Sequence, residues 1–188
     1  MKRITLCLLA LLMIFSLVSC GEEDTTPAGY QKASLDTVCD YVLYVPDTWV
    51  VQSGSAANFT AATVANGDAC NVSMMTVEEV YAKSVEEYWA EQAAEYAAIF
   101  GAITVVEENA AATVGNGENK VEKARRYVFT AKHGAEGKQT DYTFMQVFIV
   151  RDTLNGSKLY CFTYTATTDH YDGHLEAVNG ILTNFAFR

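Results

Sequence analysis

The first hydrophobic segment of the chain is an N-terminal apolar run that follows two basic residues. Residues 4–18 are apolar except for Thr5 and Ser16, and Lys2 and Arg3 precede them. This layout is typical of a secretory signal peptide, and the run is shorter than the roughly 20 apolar residues that a membrane-spanning helix needs. We therefore interpret residues 1–19 as a signal peptide.

The run ends in the tetrapeptide Leu17-Val18-Ser19-Cys20. This segment resembles the lipobox of bacterial lipoproteins, which implies cleavage before Cys20 and attachment of diacylglycerol to the Cys20 sulfur. Two acyl chains are enough for stable anchoring without a spanning helix. We expect a lipid-anchored protein on the extracytoplasmic face of the cell membrane, with the membrane itself as its first partner.

A polar stretch follows the predicted anchor. Residues 21–32 include three consecutive acidic residues together with Pro27 and Gly29, a composition that indicates a flexible segment. The predicted organisation is a lipidated cysteine with a tether over 20–38 and one folded domain over 39–188.

Segments that alternate apolar and polar residues, or that are rich in β-branched residues, predict the strands of a β-sheet in this domain. The longest pair, 140–151 and 158–165, is separated by Asn155-Gly156, which favours a type I′ hairpin turn. Both faces of the 140–151 segment are apolar, which indicates a central strand covered on both sides. The other predicted strands are 41–45, 49–51, 59–64, 70–77, 103–107, 120–131 and 185–187.

Helical periodicity marks the first of two helices. Ser84 and Glu87 fit a capping box, apolar and aromatic residues recur at intervals of three and four up to Phe100, and Gly101 supplies a stop.

A second helix is predicted over about 169–182, with Asp169 as the N-cap. Leu175, Val178 and Leu182 would lie along one side of it.

The order of these elements resembles that of PsbP-like domains. The segment Tyr44–Trp49 (YVPDTW) is similar to their apolar-x-apolar-Pro-x-x-Trp opening, and three later segments also fit: 84–88, 160–166 and 184–187. The resemblance covers roughly 39–188. It implies an α+β fold, a twisted antiparallel β-sheet with two main helices packed on it, and a role as a binding or assembly module.

Charge narrows the choice of partners. The formal net charge is −10, and loss of Lys2 and Arg3 with the signal peptide takes it to −12. Such a domain is repelled by phosphates, which excludes nucleic acid as a natural partner. Cationic partners, metal ions and uncharged ligands stay open.

Three cysteines remain in the predicted domain, Cys39, Cys70 and Cys161. They allow at most one disulfide in any of three pairings. All three lie in strand-like segments, where a thiol acts as a small apolar group, so we favour no disulfide. Their spacing does not fit a zinc site.

His170 and His174 are the only metal candidates that we single out. Four residues apart on a helix, they could share a metal, with Asp169, Asp172 or Glu176 adding oxygen. Gly173 weakens that turn, and a solvated surface is the simpler interpretation. We find no nucleophile elbow and no other catalytic pattern, so we expect neither enzymatic activity nor a cofactor.

The aromatic residues are the remaining candidates for binding. Core packing accounts for most of them, but Tyr88, Trp89 and Tyr96 cluster on the first helix, where part of the cluster could line a groove between helix and sheet.

The first hypothesis is a noncatalytic binding module that docks another protein of the cell envelope. The alternative is a carrier or sensor for a small molecule or a cation. A metal-assisted hydrolase using His170 and His174 is the third.

Overall fold

The computed structural model of the protein describes residues 26–35, 39–52, 59–65 and 67–188. The described residues form a seven-stranded antiparallel sheet, two small strand pairs and two α-helices. The elements are β1 (Tyr30–Lys32), β2 (Tyr41–Val42), β3 (Tyr44–Pro46), β4 (Trp49–Gln52), β5 (Phe59–Val64), β6 (Asn71–Tyr81), α1 (Val85–Phe100), β7 (Ile103–Ala111), β8 (Ala124–His133), β9 (Thr140–Thr153), β10 (Gly156–Thr167), α2 (Leu175–Thr183) and β11 (Ala186–Phe187).

The strand order of the large sheet is β4-β5-β6-β10-β9-β8-β7. Every pair of adjacent strands in this sheet is antiparallel. Outside the sheet, β1 pairs with β3 and β11 pairs with β2. The predicted α+β class, an antiparallel sheet with two helices packed on it, is confirmed.

One face of the sheet, here called the closed face, is covered by α2 and the small strand pairs. Tyr41 and Phe185 stack with ring centroids 6.0 Å apart, and the ring of Tyr160 from the sheet meets Tyr41 edge-on at 6.2 Å. Val178 and Ile181 of α2 are fully buried in the same cluster. Burial of this large aromatic and aliphatic surface supplies the main drive for folding.

The opposite face, here called the half-open face, carries α1. Trp89 stacks on Tyr127 with centroids 4.6 Å apart, and Tyr96 stacks on Phe129 at 5.1 Å. Because these ring partners belong to β8, with Phe148 of β9 beside them, α1 covers only one half of this face.

The predicted ends of α1 are confirmed. The Ser84 hydroxyl accepts a hydrogen bond from the Glu87 amide at 3.1 Å, and the Glu87 carboxylate accepts one from the Ser84 amide at 2.9 Å. Gly101 ends the helix with φ of 80°, a left-handed conformation that suits glycine.

The central position of β9 is also confirmed. Met145, Val147 and Ile149 are buried on the closed face, and Phe148 is buried under α1. A strand with cover on both faces needs apolar residues at consecutive positions, which explains the unbroken apolar run.

The predicted start of the domain at residue 39 is wrong. Tyr30–Lys32 pairs with Tyr44–Pro46, Ala33 is buried, and the Ser34 hydroxyl accepts a hydrogen bond from the Leu43 amide at 3.0 Å. Part of the predicted tether therefore belongs to the fold, because a polar sequence can still pair its backbone with a strand. The predicted signal peptide 1–19, Cys20 and residues 36–38 lie outside the described residues.

The hairpin between β9 and β10 is present, but its predicted type I′ turn is wrong. Thr153 pairs with Gly156, so Leu154 and Asn155 are the two turn residues. A type I′ turn needs a positive φ at both turn residues, but neither Leu154 nor Asn155 has one. The positive φ, 121°, is at Gly156, the first residue after the turn. The register of the two long strands, set by their buried side chains, moves the turn by one residue.

The strand predicted over 120–131 begins four residues later, at Ala124. The chain before it forms a short 3₁₀ turn, Gly117–Asn119, and an isolated bridge between Val114 and Val121.

The second helix is shorter than predicted. A 3₁₀ turn, Asp172–His174, precedes α2, and Asp169 is not its N-cap. The His170 amide donates to the Thr167 carbonyl at 3.0 Å, so the chain closes a turn where the prediction placed the first helical residues. Gly173, which weakens a helix, lies in that 3₁₀ turn.

Candidate functional site

On the half-open face, one flank of α1 and the strands beside that helix border a surface that we call the helix–sheet groove. Residues three and four apart share one side of a helix, which aligns Tyr88, Gln92, Glu95 and Ile99. The Tyr88 ring meets Phe148 of β9 at 5.4 Å, so this flank lies on the side of α1 away from β7. Ile99 is 68% exposed.

The floor of the groove is formed by β10 and β6. Cys161 pairs with Met75, Thr163 with Ser73, and Thr165 with Asn71, so these side chains point to the same face. Burial on this face decreases towards the C-terminal end of β10, since Cys161 is buried whereas Thr163 and Thr165 are half-buried. Met75 is 42% exposed.

The floor continues without charge to the edge of the sheet. Thr63 of β5 pairs with Asn71 and with Val50 of the edge strand β4, and Val50 is 54% exposed. Gln52 lies further along the same face. From β4 to Thr163 and Thr165 of β10, the described side chains on this part of the face are apolar or neutral polar.

Charge appears at the rim of the groove. Glu78 of β6 pairs with Leu159 at the end nearest the start of α1, and Glu95 lies exposed on the helix flank. Burial raises the pKa of Tyr88, and the neighbouring Cys161, Glu78 and Glu95 raise it further. Tyr88 therefore stays a neutral phenol at neutral pH.

Beneath α1, two buried polar atoms have no protein partner among the described residues. They are the Tyr127 hydroxyl and Gln146 Oε1, on residues that pair directly across β8 and β9. The Gln146 amide nitrogen donates to the Tyr96 hydroxyl at 2.7 Å. Neither unpartnered atom had a signal in the sequence, because burial of Gln146 depends on where α1 docks.

Cys161 lies under the groove, but its thiol is expected to be unreactive. Burial raises the pKa of Cys161 to about 12, so the reactive thiolate is scarce at neutral pH. Cys39, Cys70 and Cys161 are all buried, and none of them forms a disulfide among the described residues.

The two histidines predicted as metal candidates both face Asp68, a residue that no pattern in the sequence connects with them. His174 Nε2 lies 3.0 Å from one Asp68 oxygen, and His170 Nδ1 lies 4.0 Å from the other. His170 also lies 3.2 Å from the Thr167 hydroxyl, and the Trp49 ring meets His174 edge-on at 6.3 Å.

This arrangement differs from the predicted pair on one helix, since His170 precedes the 3₁₀ turn and His174 is the residue before α2. Asp169, Asp172 and Glu176 do not join the two histidines in a ligand set. Across the described residues, no group of three or more His, Cys, Asp or Glu side chains is placed to hold a metal ion. The contacts make Asp68 a surface hydrogen-bond partner that ties the loop before β6 to the start of α2.

In the described part of the chain, no helix is long and apolar enough to cross a membrane.

The sequence matches no protein-family profile and no curated protein. Solved structures do resemble the fold. The Saccharomyces cerevisiae Ran-binding protein Mog1p matches with a TM-score of 0.54 at 9% identity, over 84% of this chain and 95% of its own. Cyanobacterial PsbP (CyanoP) from Synechocystis sp. PCC 6803 matches with a TM-score of 0.50 at 13% identity, over 92% and 99%.

A third match is LpqN of Mycobacterium tuberculosis, described as involved in cell envelope biogenesis, with a TM-score of 0.49 at 15% identity, over 78% of this chain and 82% of its own. The likeness to Mog1p and CyanoP concerns the arrangement of the sheet and its two helices. The fold is therefore of the PsbP and Mog1 kind, and of these the YVPDTW opening and the element order predicted the PsbP-like arrangement.

Proposed function

We propose that this protein is a noncatalytic binding or assembly module that docks another protein of the cell envelope through the helix–sheet groove. The observation that carries the proposal is the floor of the groove, where no described element covers the sheet beside α1 and the described side chains from β4 to Thr163 and Thr165 of β10 carry no charge. A soluble β-sheet usually buries one complete face, and a contiguous exposed surface with apolar residues marks an interaction site.

The side chains of the groove suit a protein partner. Met75, Ile99 and Val50 offer exposed apolar contacts, while Thr163 and Ser73 offer hydroxyl groups without charge. Interface centres are poor in charged residues and combine apolar area with hydrogen bonds. A partner that covers this surface loses little solvation of charged groups.

The comparison with Mog1p supports the binding role by analogy. That protein is described as a Ran-binding protein, so the fold can serve a protein–protein contact. Fold alone does not determine function, and it is the chain's own groove that supports docking here.

The proposal includes a lipid anchor at Cys20 on the extracytoplasmic face of the cell membrane, supported by the signal-peptide layout and the lipobox-like segment. Because β1 begins at Tyr30, only the nine residues 21–29 separate Cys20 from the fold. The domain would then lie close to the membrane. A Cys20→Ala variant that keeps its processing and membrane retention would overturn the anchor.

Site-specific photo-crosslinking in living cells tests the docking role. A photoreactive amino acid replaces Met75, on the groove floor, and in a matched control it replaces Glu136, exposed in the loop between β8 and β9. We expect a discrete protein adduct from position 75 that is absent from position 136. No adduct from position 75, or the same adducts from both, would contradict the proposal.

A further inference from the structure

We infer that the helix–sheet groove takes a cationic, amphipathic peptide segment of its partner. This inference rests on the proposed docking role and adds the chemistry of the occupant. It follows from three features of the groove: acidic rims, apolar side chains beside them, and a neutral floor.

The acidic rims are the first feature. Helix α1 contains four glutamates and no basic residue. Lys83, just before the helix, pairs with Glu91 at 2.6 Å and is also acted on by the charge of Glu78. Glu78, opposite Leu159 on β6, and Glu95, exposed on α1, both act on Tyr88 at the groove. Lysine or arginine side chains that project from a bound segment would meet these carboxylates, and opposite charges across an interface favour encounter and register.

The apolar side chains are the second feature. Ile99 projects from the helix flank and Met75 from the floor, and both are exposed. Methionine adapts its shape to different partners because its side chain is unbranched and polarizable. A segment that alternates basic and apolar residues can satisfy the rim and these two side chains together.

The neutral floor is the third feature. Ser73, Thr163 and Thr165 are half-buried, and Asn71 is exposed. Their hydroxyl and amide groups can donate to or accept from a peptide backbone. From Tyr88 to Ile99 the helix rises about 16 Å, which matches roughly five residues of extended chain.

The same charges argue against other occupants. A second copy of this chain would bring two glutamate-rich rims together in a protein with a net charge of −10, and like charges repel. Nucleic acid and anionic lipid headgroups meet the same repulsion. A cationic peptide is the occupant whose charge complements the groove.

A phage-displayed library of random dodecapeptides, selected on the detergent-solubilised full-length protein, tests the inference. We expect the enriched peptides to combine Lys or Arg with apolar residues and to bind more weakly as salt rises, because salt screens exposed charges. Binding should fall at least tenfold in the Glu78→Lys/Glu95→Lys double variant, and also in Ile99→Asp. The charge-matched control is Glu118→Lys/Glu136→Lys, which changes two exposed glutamates outside the groove.

Three outcomes would overturn the inference: no enriched peptide, enriched peptides without basic residues, or equal loss of binding in the groove and control variants. Each of these leaves the docking role to the crosslinking experiment, which needs no assumption about the partner's charge. An adduct at position 75 together with acidic or neutral peptides would keep the docking role and reject the cationic segment.

Discussion

The two faces of the large sheet are built from the same strands, yet the described residues close one face and cover only half of the other. Strand β6 shows the contrast at neighbouring residues: Val72 and Met74 are fully buried on the closed face, whereas Met75 is exposed on the half-open face. In β9, by contrast, Val147 and Phe148 are both buried, on opposite faces.

The position of α1 accounts for this difference between the strands. A strand under α1 carries apolar residues on both sides, while a strand beyond it alternates buried apolar with exposed neutral residues. Exposed strands that needed only solubility would carry charges, as the outer face of α1 does with Glu86 and Glu91. The uncharged surface beside α1 is therefore better explained as a contact surface than as a solvated one.

The largest expected effect comes from removing the cover of the half-open face. Trp89 is buried and stacks on Tyr127, so Trp89→Ala should lower the free energy of unfolding by about 3–5 kcal/mol, through lost burial and a cavity. Urea denaturation measures it. A loss below about 1 kcal/mol would mean that α1 is not anchored by this ring.

The next prediction compares two adjacent methionines. Met74→Ala should cost about 2–5 kcal/mol because that side chain is fully buried on the closed face, whereas Met75→Ala should cost less than about 0.5 kcal/mol. Each variant is the other's control for size and residue type. Equal losses in urea denaturation would show that the floor of the groove is packed rather than open.

A pH-dependent effect is expected at the rim of the closed face. Burial alone would raise the pKa of Asp40, but hydrogen bonds from the Tyr160 hydroxyl at 2.7 Å and from Lys158 at 3.1 Å outweigh it and hold the pKa below its ordinary value. The folded state thus favours the carboxylate. The resulting stability is present above the unfolded pKa of about 3.9 and is lost as the pH falls through the folded pKa.

Asp40→Asn should therefore lower stability at pH 7 by about 1–2 kcal/mol, a value reduced for the partial exposure of the ion pair. Below the folded pKa of Asp40 the variant and the wild type should converge. Unfolding free energies measured between pH 2 and pH 7 by denaturant titration check this, and a constant difference across that range would contradict the assignment.

The smallest expected effect concerns the start of α1. Ser84→Ala removes the side-chain cap of the Glu87 amide and should cost about 1 kcal/mol, while Ser84→Asp keeps an acceptor there and should cost less. Thermal unfolding of the two variants measures the difference. Equal losses of stability in the two variants would mean that the Ser84 side-chain hydrogen bond does not stabilise α1.

Local signals in the sequence were enough for much of the fold. The capping box at Ser84 and the stop at Gly101 place α1 to the residue, because both depend on atoms within a few positions in the chain. The apolar runs placed the long strands, and the YVPDTW segment with the order of elements indicated the fold class that the structure and the comparisons bear out.

The candidate site was predicted only in part. The sequence grouped Tyr88, Trp89 and Tyr96, but the structure separates them: Trp89 and Tyr96 stack on the sheet, and Tyr88 borders the groove. The two histidines were recognised, yet Asp68, about a hundred residues away in sequence, was not.

By itself, the sequence determined the ends of α1, most strands, the net negative charge and the α+β class, since these follow from neighbouring residues and composition. Only the tertiary structure decided that Tyr30–Lys32 joins the fold, that the hairpin turn moves off Asn155-Gly156, and that α1 leaves half of a sheet face uncovered. The physical reason is common to all three. Each depends on which contacts between residues far apart in the chain give the lowest free energy. A local sequence pattern carries no information about these contacts.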